Sequence, residues 1–207
     1  MMTDFPIFNN ERDIEIPILI QWLERNDCQM GSVLDVGCAF SQYASEAKPR
    51  AGEYHGLDLI EDKTVTQYLD RFIHGNILFA DVPMYDWIFS ISTIEHIGVE
   101  YEATPLYREF QIEAVHKIAR LAKRGFLLTF PYGEDDLFKG RYYNQNKKLL
   151  EEYMEGMKGY KIHNAFISTD NPQDPAGWRE IPQSLADKAT NNFDGRVYTI
   201  AVMEAYR

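Results

Sequence analysis

Two cysteines in 207 residues, Cys28 and Cys38, are too few for a disulfide framework, so a packed core has to hold the fold together. No stretch approaches the length of apolar chain that spans a bilayer, and no basic leader precedes an apolar segment at the start. The expectation is a soluble, cytoplasmic protein without a membrane partner. Bases are also scarce: 21 Lys and Arg stand against 32 Asp and Glu, a formal net charge of −11. Affinity for nucleic acid comes largely from Lys and Arg neutralising phosphates, so no nucleic-acid partner is expected. The adjacent basic pairs, Lys123–Arg124 and Lys147–Lys148, read as solvated helix ends. His55, His74, His116 and His163 are scattered, and no metal-ligand spacing occurs.

What is present is a chain with 45% hydrophobic residues, enough for one good core and hence a single domain over 1–207. Residues 1–30 read as a helical lead-in and 31–207 as an α/β core. Aromatic residues make up 14%, including 13 tyrosines, which points to rings lining a pocket or an interface. Helical spacing of Ile14, Ile18, Leu19, Trp22 and Leu23 predicts a helix over 11–27, with Pro17 marking a kink or the true start. Strands are expected at 33–37, 54–59, 72–77, 85–92, 126–130, 160–168 and 196–206. Helices are expected at 41–48, 61–72, 104–123 and 144–157. This alternation predicts a three-layer α/β sandwich: a seven-stranded, mostly parallel sheet, the last strand antiparallel, with helices on both faces.

The most informative segment is Val33-Leu34-Asp35-Val36-Gly37-Cys38-Ala39-Phe40-Ser41, an apolar strand running into a turn of small residues. About twenty residues on, Tyr54-His55-Gly56-Leu57-Asp58-Leu59 is a second short strand ending in an acid. A carboxylate there, Asp58, can accept hydrogen bonds from both hydroxyls of a ribose. The diphosphate-binding G-x-G-x-x-G is missing, since only Gly37 is a glycine, and Asp35 would repel a pyrophosphate at short range. No Tyr-x-x-x-Lys pair accompanies it: Tyr68 is followed four residues on by Phe72, and Tyr107 by Gln111. A nicotinamide-dependent reductase or epimerase is therefore the weaker reading. An acidic turn suits a cationic, phosphate-free nucleoside, and S-adenosyl-L-methionine, with its ammonium and sulfonium, is such a cofactor.

At these residues the chain resembles the class I S-adenosylmethionine-dependent methyltransferases, whose first motif is D/E-x-G-x-G-x-G. Ala39 and Ser41 replace two of its glycines with other small residues. The resemblance covers 30–135 by motif and the rest by element order. It implies that Asp35, Gly37, Cys38 and Ala39 surround the methionine half of the cofactor and Asp58 the ribose. Asn76 would bond the adenine, with Leu59 and Ile77 on its faces, and Ser90 and Ser92 complete the wall. Cys38 reads as a compact packing residue in this turn rather than a nucleophile.

Strand four ends where the transferred methyl should point, at Ser92-Thr93-Ile94-Glu95-His96. An alcohol acceptor must lose a proton, which makes His96 the candidate base; the alternative is that Glu95 and His96 only cap a helix. A Mg²⁺-assisted variant using the same pair lacks supporting ligand spacing. The segment Pro131-Tyr132-Gly133-Glu134-Asp135-Asp136 with Arg141-Tyr142-Tyr143 reads either as a pocket edge or as a solvent-facing connection. The triplet Phe130-Pro131-Tyr132 follows strand five and lacks the polar residue with which DNA amino-methyltransferases hold their target. The ordering of these segments resembles small bacterial methyltransferases of surface-sugar and natural-product pathways. The expected acceptor is a small polar metabolite, sugar-like, methylated on oxygen, and the protein is a possible homodimer. A non-catalytic partner subunit that keeps the cofactor pocket is the remaining alternative.

Overall fold

Five parallel strands and an antiparallel ending build one sheet in the computed structural model, which describes residues 11–98, 108–134, 137–138, 142–143, 145–171, 174–190 and 197–207. The parallel strands are β1 (Ser32–Val36), β2 (Glu53–Asp58), β3 (Arg71–His74), β4 (Tyr85–Ile91) and β5 (Ala122–Pro131). A two-residue hairpin, β6 (Leu137–Phe138) with β7 (Tyr142–Tyr143), stands apart. The sheet closes with β8 (Lys161–Ser168), β9 (Arg179–Ile181) and β10 (Thr199–Tyr206), in the order β3-β2-β1-β4-β5-β10-β8-β9. The last strand inserts antiparallel between β5 and β8, as the sequence leads one to expect. The count is eight rather than seven. The added strand, β9, is three residues long with a single apolar side chain, and lies between the strands expected at 160–168 and 196–206.

Helices cover both faces. On one side lie α1 (Arg12–Arg25), α2 (Ala44–Ala47) and α3 (Lys63–Thr66); on the other, α4 (Arg108–Leu121) and α5 (Lys147–Glu155). A further turn, α6 (Gln183–Ala186), packs against β8. The period-two alternation of a strand sorts side chains between these layers. In β5, Phe126, Leu128 and Phe130 join Val115, Ile118, Leu150 and Tyr153, whereas Leu127 joins Leu19, Trp22 and Leu23 of α1. Helix α1 therefore belongs to the same sandwich as the core, and Pro17 sits inside it without ending it. The expected helices after β1 and β2 shrink to single turns, and residues 99–107, assigned in part to the start of the long helix, lie outside the described residues.

One polar contact fixes α1 to the sheet. Glu15 is fully buried, and its Oε1 accepts from Ser92 Oγ and Thr129 Oγ1, each at 2.6 Å. Its Oε2 accepts from Arg12 Nη1 at 2.5 Å. Ser92 follows β4 and Thr129 lies among the last residues of β5 before Pro131, so the helix is pinned near the edge where the strands terminate. Removing the carboxylate leaves two buried hydroxyls and a guanidinium without their acceptor. Glu15→Ala is expected to destabilise the fold by about 2–4 kcal/mol in urea unfolding, while Ile20→Ala on the same helix costs less.

Candidate functional site

Open parallel sheets bind ligands beyond the carboxyl ends of their strands. Here those ends surround a cavity of about 730 Å³, lined by the turns after β1, β2, β3 and β4 together with Arg12 and Phe110.

The turn after β1 is set by Gly37. Its φ is +87°, and a Cβ there would lie 2.2 Å from Thr93 Oγ1, so the position tolerates only glycine. The Gly37 amide donates to the Leu57 carbonyl at 2.8 Å, which joins the ends of β1 and β2. The next amides are taken by carboxylates: Ala39 N–H donates to Asp58 Oδ2 at 2.9 Å and Phe40 N–H to Asp62 Oδ2 at 3.2 Å. The Ile60 amide donates to the other Asp58 oxygen at 2.9 Å. Asp58 is thus locked by two amides while it remains on the cavity wall. Ser41 shares that wall, and its shielded Oγ has no hydrogen-bond partner among the described residues. Phe40, Leu59, Ile60 and Phe79 form an exposed apolar rim.

Of the residues singled out in the sequence, Gly37, Ala39, Asp58, Leu59, Asn76, Ile77, Ser92 and His96 line this one cavity. Asn76 is oriented by its Oδ1, which accepts from the Leu78 amide at 2.9 Å. Ser92 adopts φ +43° and gives its hydroxyl to Glu15. His96 closes a single 3-10 turn, Ile94–His96, and its exposed side chain faces the cavity.

Three residues sit elsewhere than expected. Asp35 points onto the α1–α2 face, because it alternates with Leu34 and Val36, which enter the other layer. It is fully buried and accepts from Tyr54 OH at 2.8 Å and Tyr43 OH at 3.2 Å. Burial pushes its carboxyl up to about 7 despite those two bonds. Cys38 turns inward against Gly56, and burial, reinforced by Asp35, raises its thiol far above the range of a nucleophile. Ser90 donates to the Val36 carbonyl at 2.8 Å inside the sheet. None of the three lines the cavity.

Glu95 is buried whereas its neighbour His96 is exposed, and Glu95 Oε2 lacks a partner among the described residues; burial holds its carboxyl well above the usual carboxylate range. No cluster of three His, Cys, Asp or Glu able to hold a metal occurs among the described residues. The expected pocket edge at 131–143 divides. Tyr132 is buried and donates to Asp187 Oδ1 at 2.6 Å, and Pro131 to Glu134 do not reach the cavity; Asp135, Asp136 and Arg141 lie outside the described residues. No described helix is long and apolar enough to cross a membrane.

Arg12, Tyr43, Thr93 and Phe110 are wall residues that sequence reasoning missed. Burial works against the Arg12 charge, but Glu15 and Glu11 more than offset it. An Arg–Glu pair three residues apart on a helix reads as a surface ion pair. Its partners Ser92 and Thr129 lie 77 and 114 residues from Glu15, so no local signal reveals the anchor.

No family model and no curated protein matches the sequence. Solved structures do match the fold. A magnesium protoporphyrin IX methyltransferase from Synechocystis PCC 6803, crystallised with bound S-adenosylmethionine, superposes with a TM-score of 0.60 at 15% identity, covering 95% of this chain and 79% of that one. The 1,6-didemethyltoxoflavin-N1-methyltransferase of Burkholderia thailandensis, with S-adenosylhomocysteine bound, gives 0.61 at 10% identity over 94% and 79%. A S-adenosylmethionine-dependent methyltransferase from Clostridium acetobutylicum ATCC 824 gives 0.58 at 12% identity over 93% and 90%. The chain has the fold of the class I S-adenosylmethionine-dependent methyltransferases.

The buried acids under the cavity give a pH signature. Folded Asp35 keeps its proton to about pH 7, whereas the unfolded chain loses it near 3.8. The folded state then binds more protons in that window, so stability falls as pH rises through it. Glu11, raised to about 7 mainly by burial, and Glu95 act in the same sense. Asp35→Asn should flatten the decline by up to about 1.4 kcal/mol per pH unit, read from urea melts across pH 4 to 7.

Proposed function

We propose that the cavity holds S-adenosyl-L-methionine and that the protein transfers its methyl group to a small polar acceptor. The observation that carries this reading is the fate of the turn amides after β1. In a diphosphate-binding fold such N–H groups cradle phosphate. Here Ala39 and Phe40 give theirs to Asp58 and Asp62, so a pyrophosphate would meet two carboxylates instead of two donors. A nucleoside without phosphate meets no such repulsion.

The wall fits the parts of that nucleoside. Asp58, fixed by two amides, keeps further lone pairs for the ribose hydroxyls. Leu59, Ile77 and Phe79 offer apolar surface to an adenine, and Asn76 an amide at its edge. Ser41 Oγ, without a partner among the described residues, supplies a polar contact beside the turn. When bound, the cofactor supplies an electrophilic methyl on a cationic sulfur. The protein's own share is alignment and water exclusion at the end of β4, since positioning alone supplies much of the acceleration of a displacement. His96 is placed on the same wall to take the proton of an acceptor hydroxyl, which supports an O-methyltransferase. The relatives in fold act on different acceptors by their names, so the sugar-like class rests on the resemblance of the sequence segments alone.

Two measurements test this. Calorimetry is expected to show binding of S-adenosylhomocysteine and none of NAD, with Asp58→Ala weakening the former at least tenfold; NAD binding would contradict the reading. With an acceptor found by methyl transfer to metabolite extracts, His96→Ala is expected to lower kcat by about 10²–10⁴ and to remove the acidic limb of the pH profile. Retention of that limb would make His96 a structural residue.

A further inference from the structure

Three fully buried side chains carry polar groups that do not line the cavity: Gln111, Gln145 and Tyr153. Gln111 lies on α4 in the face that buries Ala114, Val115 and Ile118, where the helix otherwise presents apolar side chains to the core. A buried amide is costly to leave unbonded, so its partners have to be accounted for.

The three form one chain of hydrogen bonds. Tyr153 OH donates to Gln145 Oε1, Gln145 Nε2 to Gln111 Oε1 at 3.3 Å, and Gln111 Nε2 to the backbone carbonyl of Glu95 at 3.2 Å. A carboxamide accepts at one end and donates at the other, so each bond sets the direction of the next. The phenol turns the amino end of Gln145 toward Gln111, and this in turn directs the amino end of Gln111 onto Glu95. Gln145 is held by its own backbone beside the end of β5. It donates to the Pro131 carbonyl at 2.9 Å and accepts from the Gly133 amide at 3.0 Å.

The chain ends on the turn that carries His96. Ile94–His96 is a single 3-10 turn, and a turn that does not continue leaves its carbonyls to be satisfied from elsewhere. The peptide group joining Glu95 to His96 is gripped from both sides. Its N–H donates to the Thr93 carbonyl at 3.0 Å, and its C=O accepts from Gln111. The plane of that peptide sets the direction in which the His96 side chain leaves the backbone toward the cavity. The His96 side chain is exposed whereas Ile94 and Glu95 are buried, so the ring is aimed from the buried side of the turn.

We infer that Gln111, oriented by Gln145 and Tyr153, is a positioning residue that aims His96 at the acceptor. This rests on the reading of His96 as the base and adds to it the device that holds the base in place. A displacement of a reacting group by about 1 Å lowers a rate by about 10²-fold, which is what such a device guards against.

The test reads the His96 ring by NMR on full-length protein, its signal assigned by its loss in His96→Ala. Gln111→Met, which keeps the length of the side chain and removes both its donor and its acceptor, is expected to shift that signal while those of His55, His74 and His163 hold. Tyr153→Phe removes only the oxygen at the far end of the chain. It is expected to shift the His96 signal in the same direction by less, and it carries the test if Gln111→Met does not fold. An unmoved His96 signal, or equal movement of all four, overturns the inference and leaves Gln111 a packing residue. With an acceptor in hand, Gln111→Met is expected to lower kcat by about 10- to 100-fold and to keep KM for the cofactor within about twofold. In a His96→Ala background it should add no further loss. Losses that multiply in the double variant overturn the inference while the base reading stands. A His96→Ala variant with wild-type kcat defeats the base reading and takes this inference with it.

Discussion

The turn at Gly37 governs the site. A positive φ, with Thr93 packed where a side chain would begin, forces the chain sharply out of β1. That geometry delivers the Gly37 amide to the end of β2 and the Ala39 amide to the Asp58 carboxylate. The path of the chain out of β1 and the bond from the Ala39 amide that holds Asp58 on the cavity wall follow from that turn.

The elements beneath the turn carry an unusual load of buried acid. Glu15, Asp35 and Glu95 are all buried near the strand ends. Each is handled differently. Glu15 stays within a set of three donors, from Arg12, Ser92 and Thr129. Asp35 is held by two tyrosines and retains its proton to near neutrality. Glu95 is pushed toward its neutral acid by burial. Burying charge is costly unless it is paired or neutralised: Glu15 is paired, whereas burial favours the neutral acid at Asp35 and Glu95. Arg12 is the cation that pairs with Glu15.

What was legible in the sequence was local. Gly37, Ala39, Asp58, Leu59, Asn76 and Ile77 belong to short segments at strand ends, and ends of parallel strands converge by topology once the βαβ order is recognised. The side on which a residue faces was not legible for Asp35. Both faces of a parallel sheet are covered, so Leu34, Asp35 and Val36 show no alternation between core and solvent that would mark the face. The Arg12–Glu15 anchor was hidden for another reason, since its meaning depends on hydroxyls supplied from β4 and β5 far along the chain. Strand β9 was hidden by its three-residue length, too short for a periodic pattern.

The central claim is that a phosphate-free sulfur nucleoside lies across the strand ends with its ribose on Asp58. A crystal structure of the protein with S-adenosylhomocysteine tests it most directly. The account predicts both ribose hydroxyls within hydrogen-bond distance of the Asp58 carboxylate and the adenine between Leu59 and Ile77. Density for the nucleoside elsewhere, or a ribose turned away from Asp58, would contradict it.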